Sequence, residues 1–202
     1  MKNKLFSLAS LLLMAGALVF LSGCDKDDPE PENIPEVITK VELTFSAVGA
    51  ADIIVTATDP DGEGPQGYTL SGPVNLVRNI NYGLSVDLIN ELQPLTSDER
   101  FITLEVLEEA DEHMFFYGWT GNLFSDPAGN GNIDNRTDVV NYLDEDERGL
   151  PLGILTDWTT VNAAGNGTLR IVLKHQPGIK SATSTANDGE SDLDVTFNVN
   201  VN

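Results

Sequence analysis

Cysteine, histidine and basic residues are all scarce in this chain: one Cys, two His, and 11 Lys+Arg against 32 Asp+Glu in 202 residues. A lone cysteine excludes an internal disulfide framework and a Cys-rich zinc finger. A formal charge of −21 excludes the basic surface that nucleic acid requires and makes anionic lipid a poor partner. The chain also lacks a G-x-S-x-G elbow, a G-x-x-x-x-G-K phosphate loop and a dinucleotide fingerprint after a strand, so no enzymatic activity is expected. Paired carboxylates of the kind used in glycoside hydrolysis carry no weight in so acidic a chain, because any pair is unspecific. What the acidity does supply is solubility and a raised local concentration of cations.

The one long apolar run spans residues 5–21, follows Lys2 and Lys4, and gives way to small residues and Cys24. This is the layout of a secretory signal, and the acidic, Pro-rich stretch beyond it is unlike the basic flank of a membrane-spanning anchor. Leu21-Ser22-Gly23-Cys24 resembles the bacterial lipobox, which implies that Cys24 is acylated and becomes the first residue of the exported chain. More than one acyl chain makes such a tether stable, since a single chain binds only marginally. Asp25-Lys26-Asp27-Asp28 resembles the export signal of lipoproteins displayed on the outer face of the Bacteroidota outer membrane. The expected organisation is a signal peptide over residues 1–23, a lipidated acidic linker over 24–36, and one domain over 37–202, with no composition break inside it.

Within that domain, apolar and polar residues alternate with period two. Val37, Thr39, Val41, Leu43 and Phe45 oppose Lys40, Glu42, Thr44 and Ser46, and Leu193, Val195, Phe197, Val199 and Val201 oppose Asp194, Thr196, Asn198 and Asn200. Similar segments at 52–58, 74–80, 82–89, 114–119, 139–143, 152–160 and 168–175 read as strands. Turn-rich stretches at 59–67, 121–134, 144–149, 163–167 and 176–191 separate them. The pattern predicts an all-β fold, mainly an antiparallel β-sandwich, immunoglobulin-like in general architecture. One short helix is expected over residues 97–110, where Ser97 suits a cap and Val106 and Ala110 keep helical spacing, although Ile102, Leu104 and Val106 also alternate.

Both histidines sit where chemistry is worth weighing. His175 ends a strand in phase with Leu169, Ile171 and Leu173, and His113 follows an acidic run and is in phase with Phe115, Tyr117 and Trp119. Imidazole nitrogens and carboxylate oxygens are the ligands of zinc and similar divalent transition metals, so His113 and His175 with Glu109, Asp111 or Glu112 form the candidate set. The competing reading is two structural histidines hydrogen-bonded in or near the core. Haem held axially by the two histidines, with Phe115, Phe116, Tyr117 or Trp119 against the macrocycle, ranks below a simple metal ion. Calcium ranks low as well. Its candidate loops are Asp59, Asp61 and Glu63 in one and Asp144, Glu145 and Asp146 in the other, and neither fits an EF-hand.

DEHMFFY at 111–117, GLPLG with DWTT over 149–160, GTLRIVLKHQPG at 167–178 and GESDLDVTFNV at 189–199 resemble a family of flavobacterial (Bacteroidota) outer-membrane lipoproteins. Its members are often labelled type 1 periplasmic binding fold superfamily proteins, a label that implies a larger two-lobed α/β fold than these alternating strands allow. The family's D-E-H and L-K/R-H-x-P signatures map onto Asp111, Glu112 and His113, and onto Leu173, Lys174, His175 and Pro177. The resemblance implies a binding lipoprotein held in outer-membrane lipid by Cys24 and accessory to a TonB-dependent receptor. The expectation is a lipid-anchored, surface-exposed outer-membrane protein that captures a divalent transition metal. The alternatives are an interaction lipoprotein without a ligand, or a haem carrier.

Overall fold

The computed structural model describes residues 36–62, 64 and 66–202. The expected signal peptide, Cys24, the linker up to residue 35, and Glu63 lie outside the described residues.

Alternation becomes two sheets. The first runs in the order β3 (Thr69–Leu70), β2 (Ile53–Thr58), β1 (Lys40–Ser46), β5 (Asn81–Ile89), β8 (Leu155–Thr160) and β7 (Phe124–Asp126). The second runs β4 (Val74–Leu76), β10 (Glu190–Val201), β9 (Gly165–His175) and β6 (His113–Trp119). Val41, Leu43 and Phe45 from β1 and Leu193, Val195, Phe197, Val199 and Val201 from β10 are all buried in one core between the layers, as the period-two reading requires. Trp158 of β8 is wholly buried there, with its ring centroid 5.6 Å from Tyr117, 5.1 Å from Trp119 and 4.7 Å from Phe124. Its indole N–H donates to Thr156 Oγ1 at 2.7 Å, so the buried polar atom is satisfied.

Among the described residues, all strand pairs are antiparallel except one. β4 lies parallel to β10, with Val199 opposite Val74, because the chain reaches β4 by crossing over from the first sheet rather than by a hairpin. β6 is unusual in being buried on both faces. Phe115, Tyr117 and Trp119 face the main core, while Met114 and Phe116 join Val172 in a second cluster covered by Ile133, Tyr142 and Ala186. Its free edge is closed by the following loop: Trp119 N–H donates to Asn130 O at 2.9 Å, and Asn132 N–H to Tyr117 O at 2.8 Å. That approach requires Gly131, whose φ is +87° and where a Cβ would lie 2.0 Å from Tyr117 O.

Several local expectations change: the strand read over 74–80 shortens to β4, and β9 begins at Gly165 inside the stretch 163–167 read as a turn. Residues 139–143 form no strand, only the single bridge Tyr142–Thr156, because the Tyr142 side chain turns inward: its hydroxyl donates to Phe115 O at 2.7 Å and accepts from Asn132 Nδ2 at 2.8 Å. Residues 121–134, read as a turn, contain β7. Over 97–110 a 3-10 turn at Asp98–Arg100 precedes the helix α1 (Ile102–Glu108), and Ser97 makes no side-chain cap. Burial of Ile102 and Val106 with Leu104 exposed shows helical spacing prevailing over alternation.

Candidate metal centre

Helix α1 ends in a tight turn that delivers the chain directly into β6. Glu109 N–H continues the helix to Glu105 O at 2.9 Å, and Glu109 O then accepts from the amides of Glu112 and His113 at 2.8 and 3.2 Å. His113 is thus the first residue of β6. The antiparallel register of β6 on β9 places it directly opposite His175, the last residue of β9. Side chains directly opposite on adjacent strands share one face at close range, and the two imidazoles stack with centroids 4.4 Å apart and planes 8° from parallel. Both rings are buried.

Their hydrogen-bond partners select one tautomer for each neutral ring. His113 Nδ1 lies 3.2 Å from the Glu109 carbonyl oxygen, which only accepts, so Nδ1 donates and Nε2 is the free nitrogen in the neutral ring. His175 Nε2 lies 3.2 Å from Glu112 Oε2, which leaves Nδ1 free. Both free nitrogens, His113 Nε2 and His175 Nδ1, are buried and make no hydrogen bond among the described residues. Carbonyl or carboxylate contacts of this kind orient metal-ligating histidines.

Of the five residues read as a metal set, three come together: Glu109, His113 and His175 each offer a ligand atom within 4.8 Å of the others, a group that could hold a metal ion. Glu112 orients His175 from behind. Asp111 is exposed and outside the group, and its carbonyl accepts from the Arg148 guanidinium. Haem fits this geometry poorly. Face-stacked rings place their nitrogens side by side instead of opposing them across a macrocycle, and Phe115, Tyr117 and Trp119 are committed to the core.

Asp144 and Asp146 spend their carboxylates on the fold. Asp144 Oδ1 and Oδ2 accept from the amides of Gly153 and Leu155 at 2.7 and 2.9 Å, and burial raises its pKa against these bonds. Asp146 accepts from the amides of Arg148 and Leu150 and pairs with Arg148 and Lys180. Those lone pairs are taken. Asp59 accepts from the Asp61 amide at 3.4 Å as a turn does, and burial with the Asp61 carboxyl raises its pKa.

Three further carboxylates join the histidines without having been singled out in the sequence. Asp192 Oδ2 lies 3.6 Å from His113 Nε2, with both side chains almost fully buried, and neither Asp192 oxygen makes a hydrogen bond among the described residues. Glu36 is hydrogen-bonded to Glu105 of α1. Burial first, then that bond and the Glu105 charge, push the Glu36 carboxyl up to about 8, with Asp192 adding and His113 opposing. Burial pulls the His113 pKa down, but Asp192, the Glu109 carbonyl and Glu36 outweigh it and hold it above the usual histidine value.

No family model matches this chain. Among curated proteins and solved structures, nothing matches it either.

A β-bulge explains why Asp192 escapes a reading by alternation. Ser191 pairs with Lys174 and Leu193 with Leu173, leaving Asp192 as the extra residue, so strict alternation, which sends it outward with Asp194, fails there. Glu36 falls at the end of the linker. Glu105 lies on the helix one turn before Glu109, and that spacing is its only signal in the sequence.

Proposed function

We propose that this chain is a non-enzymatic, lipid-anchored binding protein of the outer membrane that captures a divalent transition metal at His113, His175 and Glu109. The observation that carries the reading is the pairing of the chain's only two histidines across one strand register, each with one buried nitrogen left without a partner. Two imidazoles with carboxylates suit zinc and its neighbours in the first transition row, whereas calcium prefers oxygen alone. Zinc with bonds near 2 Å spaces tetrahedral ligands roughly 3.3 Å apart, so a group whose ligand atoms lie within 4.8 Å of one another closes on an ion with small side-chain movements. Anchoring through Cys24, display on the cell surface, kinship with flavobacterial lipoproteins and delivery to a TonB-dependent receptor belong to the same proposal and rest on the sequence resemblances.

A second reading, in which the histidines only pack, is favoured by the parallel 4.4 Å stack. The two are separated by metal content and zinc titration of the protein purified in detergent, beside a His113→Ala, His175→Ala double variant. Stoichiometric metal lost in the double variant supports capture. Metal-free protein with no histidine-dependent binding removes it and leaves an interaction lipoprotein.

A further inference from the structure

We propose, building on that metal-binding reading and resting on it, that the grip on the cation is the pair His113 Nε2 and Asp192, reached through the cleft beside Asp192. An imidazole lone pair lies in the plane of its ring, and two rings stacked within 8° of parallel cannot both address one ion as they stand. His113 and Asp192 can. Their 3.6 Å separation exceeds hydrogen-bond distance, yet it is close to the roughly 3.3 Å between tetrahedral ligands of an ion with 2 Å bonds.

The Asp192 side chain is 1% exposed, and among the described residues both its oxygens lack a hydrogen bond. A carboxylate so placed needs a positive partner, and a cation between it and His113 Nε2 takes the place of the imidazole proton there. The Glu109 carbonyl already holds the proton on Nδ1 and so leaves Nε2 for the ion. His175 joins by swinging its ring out of the stack. It is the freer of the two, since its side-chain bond is to Glu112, which is 36% exposed. A cleft of about 170 Å³ lined by Glu36, Asp59, Tyr68, Ser191 and Asp192 itself adjoins the carboxylate and gives a cation a way in.

The test titrates zinc by calorimetry and cobalt(II) by visible absorption into the full protein in detergent, using wild type, His113→Ala, His175→Ala and the isosteric Asp192→Asn. Asp192→Asn should lose at least about tenfold in zinc affinity and change the cobalt spectrum, while its metal-free melting temperature stays close to wild type. His175→Ala should lose less than Asp192→Asn. If His113→Ala abolishes binding and Asp192→Asn binds zinc as wild type does, the metal site stands and the role of Asp192 falls. If wild type binds neither metal, the metal reading itself falls. Should Asp192→Asn fail to fold, Asp192→Glu keeps the charge and moves the oxygens by one methylene, and an unaltered cobalt spectrum there overturns the proposal.

Discussion

Lys180 offers the sharpest test of what holds the candidate site together. Its ammonium is fully buried, donates to Ala110 O at 2.6 Å just after α1, and pairs with Asp146 at 3.3 Å, so it pins the loop after β9 to the turn that delivers His113. Replacing it with Met keeps the length and apolar stem and removes the charge. Breaking a buried pair from one side costs about 3–5 kcal/mol. Asp146 keeps the Arg148 and Leu150 amides at 2.8 and 2.9 Å and the Arg148 guanidinium at 3.1 Å, so its charge is not orphaned and the lower end applies. The expected loss is therefore about 3 kcal/mol, or about 6–12 °C in melting temperature for a domain of this size. Thermal denaturation followed by circular dichroism at pH 7 with chelator present measures it. A Lys180→Met protein melting within about 2 °C of wild type would refute the reasoning.

The same ion pair carries a pH dependence. Burial raises the Asp146 carboxyl, but the Leu150 amide, Arg148 and Lys180 outweigh it and set its pKa below the ordinary value; its stabilisation is therefore present above about pH 4 and lost as pH falls through the depressed folded value. A pH series of melts should show the wild-type advantage over Lys180→Met persisting from about pH 5 to 8 and shrinking below about pH 4. Zinc at a hundredfold excess over its dissociation constant should stabilise wild type by about 2.7 kcal/mol, seen as a thermal shift that His113→Ala abolishes. Gly131→Ala forces a Cβ onto Tyr117 O and should cost at least about 2 kcal/mol in a denaturant titration, whereas Asp194→Ala, which breaks only the exposed pair with Arg170, should cost less than about 1 kcal/mol. Cys24→Ala should end palmitate incorporation and move the protein from membrane to soluble fractions; palmitate retained in the variant would count against the lipobox reading.

The strands were legible where one face is buried, because side chains of a half-buried strand declare themselves every second residue. β1 and β10 follow the sequence phase, and Ile102 with Val106 reveals the helix. Residues 139–143 misled because a tyrosine side chain, not a strand face, carries the burial there. The parallel β4–β10 pair joins segments more than a hundred residues apart, and nothing local records it.

The chain by itself determined which residues alternate, hence an all-β sandwich, and it limited any imidazole site to His113 and His175, because no other histidine exists. Tertiary structure decided that these two meet and which carboxylates meet them. The antiparallel register of β6 on β9 sets His113 opposite His175, the return of α1 brings Glu109, and a single-residue bulge turns Asp192 inward. The physical reason is range. Alternation is read from neighbours in the chain, whereas register and bulges are set by hydrogen bonds between strands distant in sequence, where a slip of one residue sends a side chain to the opposite face.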